Sequence, residues 1–139
     1  MSVRFADTNI LLYAISGDPD EQPKADRAKS LLEQRDLALS VQVLQEFYVQ
    51  ATRATRPDAV AHADAVALIE AFQRFPVAPL TLDVMHAALD TRDRFHISYW
   101  DAAILEAARS LGCQVVLSED LSDAVDYNGV RVVNPFTTR

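Results

Sequence analysis

The chain has 139 residues, half of them hydrophobic, with one cysteine, 13 basic and 20 acidic side chains and a net charge of −7. That length suits one compact domain over 1–139, and Cys113 alone excludes an internal disulfide or a cysteine-based zinc site, so the cytoplasm is the expected compartment. The acidic balance speaks against holding phosphates by basic charge alone, and no run has the signal-peptide pattern or the roughly 20 apolar residues that span a bilayer.

Val3 and Phe5 open a short apolar segment that ends at Asp7, and Ile10-Leu11-Leu12-Tyr13-Ala14 follows Asp7-Thr8-Asn9, which predicts strand, polar turn, helix. Gly17, Asp18, Pro19 and Pro23 supply turn chemistry before Ala25, Ala28, Leu31 and Leu32 recur at helical spacing. Leu37 to Leu39 is a brief strand, Ser40 a candidate N-cap, and Leu44, Phe47, Tyr48 and Ala51 form the apolar face of the next helix. Pro57 and Asp58 are read as opening an alanine-rich helix that carries Val66, Ile69 and Phe72 and breaks at Phe75-Pro76-Val77.

After Thr81 a helix with Val84, Ala88 and Leu89 runs to about Arg94. Ser98 starts another, bearing Ile104, Ala107, Ala108 and Leu111, and Gly112 ends it. Val115-Val116-Leu117 and Val130 to Val133 are β-branched runs of the kind buried in parallel sheets. The strand-then-helix order predicts a three-layer α/β/α sandwich around a mainly parallel sheet.

In such sheets the ligand crevice lies beyond the carboxyl ends of the strands, where Asp7 and Asp120 both fall by sequence. Asp101 lies in the first turn of one helix and Glu46 in the first half of another, at the same edge. Four carboxylates in one pocket raise one another's pKa, and a hard divalent cation, Mg²⁺ or Mn²⁺, removes the conflict while activating water against a phosphodiester. Each acid also has a structural reading: Asp7 as a helix cap, Asp101 as the acid of a Ser98-x-x-Asp101 capping box, Glu46 as a solvated charge and Asp120 as a turn acid. Only the set is informative.

These residues resemble the PIN-domain ribonucleases, in particular the VapC-type toxins of bacterial type II toxin–antitoxin pairs. The resemblance rests on Asp7-Thr8-Asn9 with Ile10 to Ala14, on Val43-Leu44-Gln45-Glu46-Phe47-Tyr48, on Ser98-Tyr99-Trp100-Asp101-Ala102-Ala103-Ile104, and on Leu117-Ser118-Glu119-Asp120-Leu121 with the closing Val133-Asn134-Pro135-Phe136. It implies endoribonuclease activity with Asp7, Glu46, Asp101 and Asp120 as the catalytic acids, of which Asp7, Asp101 and Asp120 hold metal. Thr8, Asn9 and Ser118 become supporting residues. Asp123 either assists a second metal or caps a short helix after Leu121. The resemblance further implies an RNA substrate, a homodimer, and a cognate antitoxin that occupies the active-site groove.

Among the remaining residues, His62, His86 and His96 share no helix face at ligand spacing and are left out as ligands. Trp100, the one tryptophan, is expected in the core, although it could stack on a base. Arg53, Arg56, Arg92 and Arg94 are candidates for phosphate contacts, and Phe47, Tyr48 and the helix from Asp58 for a dimer seam or antitoxin groove. A haloacid-dehalogenase-type phosphoryl transferase needs a second acid where Asn9 stands, and a receiver domain needs a late lysine, which is missing beyond Lys29. A PIN-like RNA- or protein-binding module without strong catalysis is the alternative from another class.

Overall fold

In the computed structural model, residues 3–137 are described. Six strands form one sheet in the order β3-β2-β1-β4-β6-β5. Strands β1 (Arg4–Ala6), β2 (Leu37–Ser40), β3 (Val77–Ala78), β4 (Val115–Leu117) and β6 (Val130–Val133) run parallel, and β5 (Asp126–Tyr127) closes one edge antiparallel to β6. Phe5, Ala38, Val116 and Val132 are fully buried, as expected of short strands covered on both faces.

The chain steps from β1 to β2 to β3 in one direction and then returns past β1 to place β4 on its other side. Right-handed crossovers therefore put α1 (Thr8–Ala14), α2 (Gln22–Glu33), α3 (Val41–Ala51) and α4 (His62–Phe72) on one face, and α5 (Leu82–Phe95) and α6 (Tyr99–Ser110) on the other. The packing follows: α1 lies against α2 and α3, and α3 against α4, while α6 crosses β2, β3, β4 and β6 with α5 outside it. The α5–α6 contact is made close by Ala88 against Ala102 and Ala103, small side chains that let the two backbones approach. The expected mainly parallel sheet flanked by helices is the observed architecture.

Helix ends follow local chemistry. The Ser40 side chain accepts from the Val43 amide and that of Ser98 from the Asp101 amide, so both serines are N-caps as read from the sequence. Gly112 adopts φ +76° just past α6, a left-handed conformation that a side chain would strain.

Other expectations are corrected. Pro57 and Asp58 do not begin a helix: α4 starts at His62, and the Asp58 carboxylate instead accepts from the Gly17 amide (2.9 Å) and from Arg56 (2.8 Å), tying a turn to the end of α1. Phe75-Pro76-Val77, read only as a break, leads into β3, and β5 was not foreseen; two-residue strands carry too little periodicity to register. No helix follows Leu121, so Asp123 caps none; its carboxylate accepts from the Asn134 amide at 2.8 Å and joins the loop after β4 to the segment after β6. Phe47 is fully buried against Phe72, which removes it from any seam, and Trp100 is 64% exposed rather than in the core.

Candidate active site

The reversal of strand order falls between β1 and β4, and open parallel sheets bind ligands at this position, beyond the strand carboxyl ends. Ala6 pairs with Leu117, so Asp7 and Ser118 leave the sheet side by side, with the Asp7 amide donating to the Leu117 carbonyl at 2.9 Å. Asp7 is 5% exposed. One carboxylate oxygen accepts from the Thr8 amide (2.7 Å) and the other from the Ser118 hydroxyl (2.7 Å). The capping role read for Asp7 is therefore real, and it leaves the carboxylate at the crevice.

Ser118 organises the loop that carries Asp120. Its hydroxyl donates to Asp7 and accepts from the amides of Asp120 (3.1 Å) and Leu121 (3.2 Å). Asn9 spans the same gap from α1, donating from Nδ2 to Asp120 (3.1 Å) and accepting from the Glu119 amide (3.4 Å). Glu46 arrives from the second turn of α3; its carboxylate accepts from the Thr8 hydroxyl (2.8 Å) and from the Gln42 amide (3.0 Å). The Gln42 amide also reaches the backbone carbonyl of Trp100 (3.3 Å), which joins the start of α6, and thus Asp101, to the same network.

The electrostatics match this proximity. Burial first, and then the charges of Asp120 and Glu46, push the Asp7 carboxyl up to about 6 from 3.8, although its two hydrogen bonds pull the other way. Asp101 is also raised, by burial and by Asp120 and Glu46, against a lowering hydrogen bond from Ser98. Asp7, Glu46, Asp101 and Asp120 thus share one edge of the sheet and repel one another there.

Sequence reading missed four residues of this edge. Gln42, the link between Glu46 and Trp100, looks like an ordinary helix amide. Glu119 is gripped by the Lys24 ammonium and the Tyr13 hydroxyl. Burial pushes its carboxyl up, but these two donors hold it below the usual range. This grip tethers the Asp120 loop to α1 and α2. The one available signal was Tyr13 four residues after Asn9, on the same face of α1.

The donor set is oxygen-only and in excess of local positive charge, which suits a hard divalent cation such as Mg²⁺ or Mn²⁺. Among the described residues no three His, Cys, Asp or Glu side chains are close enough to hold an ion as a ready-made cage. A groove of about 680 Å³ between the ends of α1, α2 and α4 is lined by Leu32, Leu68, Phe72 and Phe75 and includes none of these acids. Chemistry, rather than volume, marks the candidate site.

A sheet that reverses strand order at its acidic edge defines an α/β class with a crevice site, and comparison places the chain within that class. The sequence model of the PIN domain matches residues 4–122, so the chain belongs to the PIN-domain family. No curated protein matches it by sequence. Among solved structures it is similar to VapC20 of Mycobacterium tuberculosis, described as a sarcin–ricin loop cleaving toxin, with 23% identity, a TM-score of 0.65, and coverage of 84% of this chain and 91% of that one. It is similar as well to a chain of a toxin–antitoxin complex from Klebsiella pneumoniae, with 23% identity, TM-score 0.68, and coverage of 96% and 98%. A third likeness is to a DNA-bound VapBC from Salmonella typhimurium, with 21% identity, TM-score 0.65, and coverage of 95% and 97%.

Proposed function

We propose that this chain, acting as one domain over 1–139, is a Mg²⁺- or Mn²⁺-dependent endoribonuclease and the toxin of a toxin–antitoxin pair. The observation that carries the reading is the convergence of Asp7, Glu46, Asp101 and Asp120 at the switch point of a PIN-family sheet. In this reading Asp7, Asp101 and Asp120 hold the metal and Glu46 accepts a proton from the attacking water. When bound, the ion supplies the positive charge that a scissile phosphate meets in an otherwise acidic protein. Ser118 and Thr8 orient Asp7 and Glu46 through their hydroxyls, and Asn9 holds Asp120 in place. Asp123 is assigned no metal in this scheme, because its carboxylate serves the Asn134 amide.

The toxin assignment draws on the likeness to toxins from toxin–antitoxin complexes, and brings with it a cognate antitoxin that covers the acidic edge, a homodimer and a cytoplasmic setting. Among the described residues no helix is long and apolar enough to cross a membrane. Exposed Leu80, Leu82, Met85 and Leu89, around the start of α5 and along it, are the surface offered for self-association.

The test is RNA cleavage by the chain purified without a partner. Cleavage with Mg²⁺ or Mn²⁺, its loss on chelation, and products with 5′-phosphate and 3′-hydroxyl ends are expected. Products ending in 2′,3′-cyclic phosphate would show that the ribose hydroxyl, not water, attacks. A second reading is a PIN-like binding module of weak catalysis, since a fold does not fix a function; RNA retained but uncut at every metal concentration would select it.

A further inference from the structure

Trp100 stands immediately before Asp101, is 64% exposed, and is the only tryptophan of the chain. Its flat apolar face lies in the same groove as the exposed Val49, so the two form a small apolar patch beside the candidate site. The ring makes an edge contact with Tyr99 (centroids 5.0 Å apart, planes at 79°), and the Trp100 backbone carbonyl accepts from Gln42.

It forms one wall of an open groove whose other wall is a single face of α3 and its end. Gln42, Gln45, Glu46, Val49, Gln50 and Arg53 recur at three- and four-residue intervals, so they form a stripe. The stripe is roughly 16 Å long at the helical rise. Glu46 belongs both to this groove and to the carboxylate cluster, so the groove runs directly out of the candidate active site. Its remaining walls are three primary amides, the exposed Val49, one arginine beyond the helix carboxyl end, and the indole. In a chain of net charge −7, that lining holds a single carboxylate.

We propose that this groove binds the single-stranded RNA flanking the scissile phosphate, with one base stacked on Trp100, a neighbouring phosphate met by Arg53, and the glutamine amides facing base edges. The inference rests on the nuclease reading above. Aromatic stacking combined with an arginine and amide donors is how unpaired RNA is held, whereas duplex RNA offers no base face to stack on. Trp100 is on this view a positioning residue: Gln42 couples its backbone to Glu46, so a base seated on the indole is placed in register with the acids.

The single tryptophan provides its own probe. In the Asp7→Asn protein with Mg²⁺, titration with unlabelled oligouridylate and oligoadenylate is expected to quench tryptophan emission, more strongly for the better-stacking adenylate. By anisotropy of labelled oligonucleotide, Trp100→Ala weakens binding roughly 5- to 100-fold and Trp100→Phe much less, the span expected for one stacked base. In cleavage of short single strands, Trp100→Ala raises KM more than it lowers kcat. RNA cleaved by the wild-type chain with emission unmoved by single strands overturns the groove and leaves the nuclease standing. Quenching without any cleavage keeps the groove and removes the nuclease. An emission maximum that shifts to the blue on concentrating the protein alone, with dimerisation lost in Trp100→Ala, makes the indole a self-association seam and overturns the proposal.

Discussion

Asp7 combines three demands that oppose one another. It caps α1, it is buried, and it lies beside other carboxylates. Its folded carboxyl, at about 6, binds a proton more readily than the 3.8 of the unfolded chain. The folded state therefore holds the extra proton in that interval, and the contribution of Asp7 to stability without metal is greatest below pH 3.8, declines as pH rises toward 6, and is level above it. The loss attributable to this group is about 3 kcal/mol, readable as a falling midpoint in urea between pH 4 and 7. In Asp7→Asn that slope is expected to shrink, leaving the contribution of Asp101. The amide can accept from only one of Thr8 and Ser118, which costs about 1–3 kcal/mol and offsets the relief of charge. Near-native stability at neutral pH with cleavage abolished is the expected outcome, and unchanged turnover in a folded Asp7→Asn protein would exclude Asp7 as a ligand.

Ser118 was read as a supporting residue, and its three hydrogen bonds give that word a physical content. Ser118→Ala leaves one Asp7 oxygen without its donor and two amides without their acceptor. We expect roughly 10- to 100-fold lower turnover, the range found when partners of ligands are removed. Turnover within twofold of wild type would show that the Asp120 loop keeps its place through Asn9 and the Lys24–Glu119–Tyr13 grip alone.

Between elements, the clearest lock lies opposite the acids. Glu106 on α6 is 6% exposed, accepts from the Thr91 hydroxyl of α5 (2.8 Å) and pairs with Arg109 (2.9 Å). Arg109 in turn donates to the carbonyls of Tyr127 (2.8 Å) and Asn128 (2.7 Å) at the β5–β6 turn. This chain of contacts lets the two-residue β5 exist, since its own ladder is too short to hold it. Glu106→Ala is expected to destabilise by about 2 kcal/mol, a figure reduced from that of a fully buried pair because Arg109 is partly exposed. RNA cleavage per folded molecule should be unaffected. A specific loss of turnover with unchanged stability would contradict the division between scaffold and site.

In the proposed reading the acidic edge makes the folded chain a better host for divalent cations than the unfolded one, which has the same net charge of −7 but does not gather its carboxylates. Mn²⁺ at about 100 times its dissociation constant should add roughly 2.7 kcal/mol, or about 5–10 °C in melting temperature. Asp7→Asn should lose most of that increment. An equal shift in both proteins would place the ion elsewhere.

Much of this arrangement could be read from the order of residues, because the helices are long enough for their apolar period to be seen and their caps, Ser40, Ser98 and Gly112, act within one turn. The four acids could be proposed as a set since Asp7 directly follows one predicted strand and Asp120 lies three residues past another. What local pattern could not reach were contacts between distant segments. The two-residue strands β3 and β5 exist through their neighbours, Asp58 prefers Gly17 and Arg56 to opening a helix, and Gln42 and Glu119 acquire their roles only across the sheet edge. Trp100 shows the limit most sharply. An isolated tryptophan is expected to bury its large apolar surface, and only the meeting of the starts of α3 and α6 at the sheet edge, through the Gln42–Trp100 hydrogen bond, decided that this one faces solvent beside the carboxylates. Periodicity and capping are local energies written along the chain, whereas exposure and convergence depend on which surfaces the other elements leave uncovered.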